Sequence, residues 1–227
     1  MLLNFAQVSL IEFKDSSMKV FKTIIALISL FLSGSIMVSA QPIPVELMLG
    51  NKYGIVNLAF SKNFSKTSRF GFSHMNTVQF DYKDEYKNSF ILQDLVYVET
   101  FKNIRVAAGV AYSKGGFAPT AGLQYLFVGK KFMFLFAPRV NIKSDPSYNI
   151  MTSIQYKPEI NDRLNLYTRI QMLNLFNADD NIKSYQWMRL GLEAKGLQFG
   201  LAFNLDEFGP DPSVDSSFGV FIRKEIF

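Results

Sequence analysis

The chain has 227 residues, 48% hydrophobic, 15% aromatic and 19% charged, with 23 Phe, no Cys and a formal net charge of +5. Low charge with abundant aromatics excludes a disordered chain, and the lack of cysteine excludes a disulfide-stapled scaffold, a Cys zinc centre and a Cys lipid anchor. A mean hydropathy of +0.10 with a single long apolar run excludes a polytopic helical membrane protein, and the dispersed basic residues form no stripe that would hold nucleic acid.

The apolar run comes first along the chain. Lys19 and Lys22 precede the stretch Thr23 to Leu32, followed by Gly34 and then Val38-Ser39-Ala40. That layout is a secretory signal peptide over residues 18–40, with cleavage between Ala40 and Gln41, because small residues at the last and third-last places suit a signal peptidase. A transmembrane anchor is the alternative, but the run is short for a hydrocarbon layer of about 30 Å. Met18 reads as the initiator. Residues 1–17 place Glu12 and Asp15 ahead of a region that should be positive, so they read as an upstream extension from a misassigned start.

From Pro44 onward the pattern has period 2, and no window carries a helical stripe. Ile104, Val106, Ala108, Val110 and Tyr112 alternate with Arg105, Ala107, Gly109, Ala111 and Ser113. Leu164, Leu166, Thr168, Ile170 and Met172 alternate with polar residues, and Leu197, Phe199, Leu201, Phe203 and Leu205 do the same. Turn signals separate these runs at 50–51, 65–67, 81–88, 102–103, 114–116, 129–131, 143–147, 158–162, 177–181, 195–196 and 207–215. Those turns predict twelve strands over residues 41–227, about 16 residues each, which fits a membrane strand of roughly 10 residues plus its turn. Long turns fall mainly at odd places in the series and tight ones at even places, the asymmetry of a barrel with both termini at the periplasmic end.

Alternation alone does not say which face is wet, because a soluble barrel and a membrane barrel share the period. The polar face decides it. It carries Gly71, Ala107, Gly109, Ala111, Gly122, Gly191, Gly200, Ala202 and Gly219 among Arg, Gln and Asn, which suits a crowded lumen rather than a solvated sheet. Lys residues of the mature chain sit in turns or at strand ends, as a hydrocarbon belt requires. Phe70, Phe80, Phe90, Tyr112, Phe117, Phe127, Phe132 and Tyr156 end apolar faces, where interfacial girdles belong. The predicted fold is therefore all-β, a closed antiparallel up-and-down transmembrane β-barrel of about twelve strands and a monomer.

The signal peptide, the repeated hairpins and the terminal Phe227 together resemble the small outer-membrane β-barrels of Gram-negative bacteria, those of the Bacteroidota in particular. The resemblance covers residues 41–227 as architecture. It implies an outer-membrane location, contact with outer-membrane lipid and lipopolysaccharide, and recognition of the last strand by the barrel-assembly machinery. Phe218, Val220, Ile222 and Ile226 share one parity while Phe227 falls on the other, so either Ile226 acts as the terminal residue or a bulge shifts the register near Arg223.

No HExxH, metal-spaced carboxylate cluster or Gly-rich phosphate loop appears, so no cofactor or metal site is expected. The sole histidine, His74, follows Ser73, and some twelve-stranded outer-membrane phospholipases place Ser, His and Asn on the lipid-facing side. Adjacent strand residues point to opposite faces, so Ser73 and His74 do not form a nucleophile and base pair, and His74 reads as an ordinary strand histidine near an interface. Asp179 and Asp180, and the set Asp206, Glu207, Asp211 and Asp215, offer ligands for a divalent cation or lipopolysaccharide-bridging ions, but by default read as solvated loop acids.

The candidate functional set is the lumen face. Arg69, Arg105, Arg139, Arg169 and Arg189 lie on it with Glu46, Glu99 and Glu193 as possible partners, and charged residues within a membrane span mark permeation paths or pair with one another. Gln124, Gln155, Asn165, Tyr167, Gln171, Gln198 and Asn204 add hydrogen-bonding groups. Two functions follow: a passive channel for small polar or anionic solutes, for which twelve-stranded nucleoside channels are an architectural analogy, or a structural and surface-interaction barrel filled by an Arg–Glu lattice. An enzyme acting on outer-membrane lipid is a third, weaker reading.

Overall fold

The computed structural model describes residues 43–209 and 213–226. The signal peptide, its cleavage between Ala40 and Gln41, the upstream segment and Phe227 lie outside the described residues. Twelve long strands close a barrel: β1 (Ile43–Gly50), β2 (Tyr53–Asn63), β3 (Phe70–Asp81), β4 (Ser89–Phe101), β5 (Ile104–Ser113), β6 (Gly116–Val128), β7 (Phe132–Asn141), β8 (Ser147–Tyr156), β10 (Leu164–Phe176), β11 (Asn181–Ala194), β12 (Leu197–Phe208) and β13 (Ser213–Ile226). A three-residue strand, β9 (Glu159–Asn161), pairs only with β10. No described helix is long and apolar enough to cross a membrane; this architecture crosses with strands.

Each long strand pairs antiparallel with its neighbours in sequence, and β1 pairs with β13 to close the ring. The turns fall where sequence places them, with three refinements. The segment 81–88 holds one 3-10 turn, Glu85–Lys87, capped by the Asp84 carboxylate accepting from Tyr86 N–H. The segment 158–162 contains β9. The long 207–215 turn is a correction, since β12 runs to Phe208 and β13 starts at Ser213. Asp206 is consequently a strand residue, 1% exposed, accepting from Tyr53 and from Trp187 Nε1 at 3.4 Å. Asp215 pairs with Lys52. Neither is a solvated loop acid. At Lys195-Gly196 the two turn residues have φ of 50° and 74°, the left-handed pair that a two-residue hairpin with the native strand twist requires.

No bulge occurs near Arg223. The β13 register runs unbroken from Ser213 to Lys224 against β12 and from Gly219 to Ile226 against β1. Phe218, Val220, Ile222 and Lys224 are exposed on the outer face while Phe221 and Arg223 are buried within.

The outer face is apolar as the alternation predicts: Val106, Leu123, Phe136, Ile170, Leu190, Phe199, Leu201, Phe218 and Val220 are exposed. The aromatic residues divide between the ends. Phe70, Phe127, Phe132 and Tyr156 flank the end with tight turns, and Phe80, Phe90, Tyr112 and Phe117 flank the end with long loops. Phe90 and Tyr112 pack with ring centroids 5.2 Å apart. An apolar belt between two aromatic rings is what a bilayer requires of a protein surface and what water disfavours.

Polar residues interrupt the belt at a few places, His74 and Asn76 on β3 among them. His74 lies mid-strand on the outer face and not at an interface, its Nδ1 2.8 Å from Asp94 Oδ1 across the β3–β4 pair, with the Phe60 ring 5.3 Å away. Ser73 points inward to Ser61, 3.0 Å away, so the two residues face opposite sides as strand geometry dictates.

The inward glycines do more than reduce crowding. Gly191 and Gly200 sit directly opposite each other on β11 and β12. A Cβ on Gly191 would lie 2.0 Å from Phe199 O, and one on Gly200 2.2 Å from Leu190 O. No side chain fits at either position without displacing the facing backbone, so both are glycine.

Candidate functional site

The lumen is built from the inward residues of all twelve strands, and it has two unlike halves. Over β10 to β13, β1 and the start of β2 the inward side chains meet one another. Tyr167, Gln198, Asn204 and Ser217 are fully buried, and Met48, Tyr53, Ile55, Leu173, Tyr185, Trp187 and Phe221 form one apolar cluster among them, which Ala137 on β7 and Met151 on β8 also join. Tyr185 and Trp187 stack with centroids 4.1 Å apart. Over β2 to β8 part of the inward surface instead borders a cavity of about 230 Å³, bounded by Asn57, Ala59, Ser61, Ser73, Met75, Gln93 and Arg139 among others, and on its far side by Glu46, Arg169, Gln171 and Arg223, while Leu95, Tyr97 and Ala107 form a second, smaller buried cluster.

Glu46 organises the boundary between the halves. It is 2% exposed, and Arg169 Nη2 lies 2.6 Å from its Oε2 while Arg189 Nε lies 2.9 Å from its Oε1. Arg189 also donates to Asn204 Oδ1 at 2.8 Å. Two guanidinium groups on one buried carboxylate leave excess positive charge in a region of low dielectric. Arg223 stands nearby, bonded to Gln198 and 3.2 Å from Glu225 Oε1. Arg139 donates to Gln93 across the cavity and has no carboxylate partner among the described residues. The cavity is thus faced by three arginines, Arg139, Arg169 and Arg223, and by the single carboxylate of Glu46.

Of the arginines expected to line the lumen, Arg105, Arg139, Arg169 and Arg189 do point inward. Arg105 Nη1 donates to Ser61 Oγ at 3.1 Å, its Nε is 3.6 Å from Glu99, and it lies over the Tyr97 ring at 4.3 Å. Arg69 is a correction: it is exposed in the turn before β3, and its guanidinium donates to the carbonyls of Glu99, at 2.8 Å, and Thr100 at the barrel rim. A residue one place outside its strand no longer obeys the strand's parity.

Gln124, Gln155 and Gln171 border the cavity, Gln171 donating to Tyr185 Oη at 3.0 Å. Gln198, Asn204 and Tyr167 belong to the packed half, with Tyr167 against Phe221 at 5.6 Å. Asn165 and Glu193 sit together near the tight-turn end at 3.4 Å, and Glu193 takes Lys157 at 3.0 Å and Gln198 at 2.7 Å rather than an arginine. Sequence reading missed Arg223, although it shares the inward parity of Ser217 and Phe221, because the ambiguous terminal register hid it. It also missed the aromatic filling, because Tyr185 and Trp187 share parity with Arg189 but look like membrane-facing residues when taken singly.

A closed antiparallel barrel with an apolar outer belt, aromatic rims and a charged inner cavity defines a transmembrane β-barrel. No protein-family model matches the sequence and no curated protein matches it. Among solved structures the chain is similar to KdgM porin in complex with disordered oligogalacturonate, at 11% identity and TM-score 0.48, covering 82% of this chain and 99% of that one. It is similar to NanC porin at 11% identity and TM-score 0.49, covering 83% and 100%. LpxR from Salmonella typhimurium is also similar, at 9% identity and TM-score 0.39, covering 82% and 100%.

Proposed function

We propose that this chain is an outer-membrane channel that lets small anionic solutes pass passively through its lumen. The observation that carries the reading is the cavity beside the Glu46 cluster, faced by three guanidinium groups and one carboxylate. Fixed positive charge in a low-dielectric wall attracts anions and repels cations. Arg139 is the residue that acts most directly on a passing ion, because its charge is not spent on a neighbouring carboxylate. The barrel works as a monomer in outer-membrane lipid and lipopolysaccharide, delivered by the assembly machinery through β13.

The test is the reversal potential of the reconstituted full-length mature protein in a potassium chloride gradient. Wild type is expected to favour chloride, and Arg139→Gln to lose much of that preference while still conducting. Arg139 serves better than Arg169 here, since replacing Arg169 strips Glu46 of a partner and disturbs the fold. The packed half favours a second reading, a structural barrel with a sealed lumen, and absence of any wild-type current is its signature.

A further inference from the structure

The cavity is two-faced. Around the closed ring β1 stands half a turn from β7, β13 half a turn from β6, and β10 half a turn from β3. Glu46 on β1, Arg223 on β13 and Arg169 on β10 therefore look across the lumen at Met133 and Leu135 on β7, Leu126 on β6 and Met75 on β3, and all of them border the same cavity. Those four apolar residues are only partly buried, Met75 and Leu135 resting against the buried apolar cluster while still bordering the cavity. A lumen for strongly hydrated solutes has no use for such a surface, because apolar side chains facing the path neither replace hydration nor orient a polar ligand. Small-molecule sites commonly combine an apolar wall with a few placed charges.

We infer that the preferred solutes are amphipathic anions: small carboxylates with an apolar body, the carboxylate held on the Arg169 and Arg223 side and the body against Met75, Leu126, Met133 and Leu135. The guanidinium fork matches a carboxylate in a bidentate way, while the apolar wall rewards each methylene or ring carbon withdrawn from water. Aromatic and branched aliphatic acids fit this description, and acetate, which has the head without the body, does not gain from the wall. This inference rests on the lumen being the solute path, and its test separates the two ideas.

The experiment uses benzoate and acetate as probes on the folded full-length mature protein, with calorimetric titration in detergent for binding and bilayer recording for block of the chloride current. Benzoate is expected to bind at least about tenfold more tightly than acetate and to block chloride at correspondingly lower concentration. The double variant Met133→Gln, Leu135→Asn nearly preserves side-chain size and is expected to erase that difference. Met133→Gln alone provides the check if the double variant folds poorly, and is expected to reduce the difference. Equal binding of benzoate and acetate overturns the inference even if the channel is anion-selective. A preference that survives in correctly folded Met133→Gln, Leu135→Asn overturns it too, by placing the apolar contact elsewhere. Tight benzoate binding lost in the variant, in a barrel that passes no chloride, upholds the site and refutes only the channel.

Discussion

The two halves of the lumen are made from the same residue types yet do different work. On β10 to β13 and β1, inward Arg, Gln, Asn and Tyr pack until Gln198, Asn204 and Ser217 have no exposure at all. On β2 to β8, inward Asn57, Ala59, Ser61 and Ser73 remain partly exposed and face open space. Composition alone does not separate the two. On the packed side Glu46 draws Arg169 and Arg189 together and fills the gap between the strands that carry them. A barrel of this size sits between the filled small barrels and the open large porins, and this one is both at once.

Removing the carboxylate at the centre of the packed half is expected to have the largest effect. Glu46→Leu leaves Arg169 and Arg189 buried without their counter-charge, which should cost about 3 to 5 kcal/mol of folding stability, read as an earlier transition in denaturant unfolding of the reconstituted barrel. On the open side, Arg139→Gln removes a charge that no carboxylate balances and should leave that transition nearly in place. Equal losses at the two positions would erase the distinction between the halves.

Next in size is the outer face. Leu201→Arg places a charge in the lipid belt and should cost roughly 2 to 4 kcal/mol in the same unfolding assay. A negligible loss would mean that this face does not meet hydrocarbon.

Smaller effects sharpen the contrast within the lumen. Ala202 is 1% exposed beside Arg189, so Ala202→Leu overfills the packed half and should cost about 1 to 3 kcal/mol. Ala59→Leu projects into the cavity, so it should leave stability nearly unchanged and lower single-channel conductance instead. The smallest effect is expected at the rim, where Lys52 and Asp215 form a partly exposed pair. Lys52→Ala should cost less than about 1 kcal/mol, and that loss should shrink further in high salt.

Much of this organisation was legible in the sequence. Period-2 alternation and turn residues located every hairpin, because each depends on neighbours within a few residues. Small residues on the polar face and Lys at strand ends gave the inside-out arrangement. Arg105, Arg139, Arg169 and Arg189 were readable as inward from parity, and Arg69 was misread because parity lapses in a turn. The division into packed and open halves was not legible. It depends on contacts like Glu46 with Arg189, which join residues far apart in sequence. The same holds for the apolar wall: Met133 and Leu135 alternate with Phe134 and Phe136, so local pattern gives no reason to put either set inside. Asp206 looked like a loop acid because the turn was read as longer than it is.

The most direct test of the account exploits the lack of native cysteine. Ser73→Cys and Ser217→Cys are near-isosteric changes on inward faces, one bordering the cavity and one fully buried in the packed half. The measurement is the change in bilayer current when a small negatively charged thiosulfonate reagent is added to each variant. The account predicts a rapid, lasting fall in current for Ser73→Cys and none for Ser217→Cys. An equal fall in both, or a fall only in Ser217→Cys, would contradict a solute path confined to the β2 to β8 side.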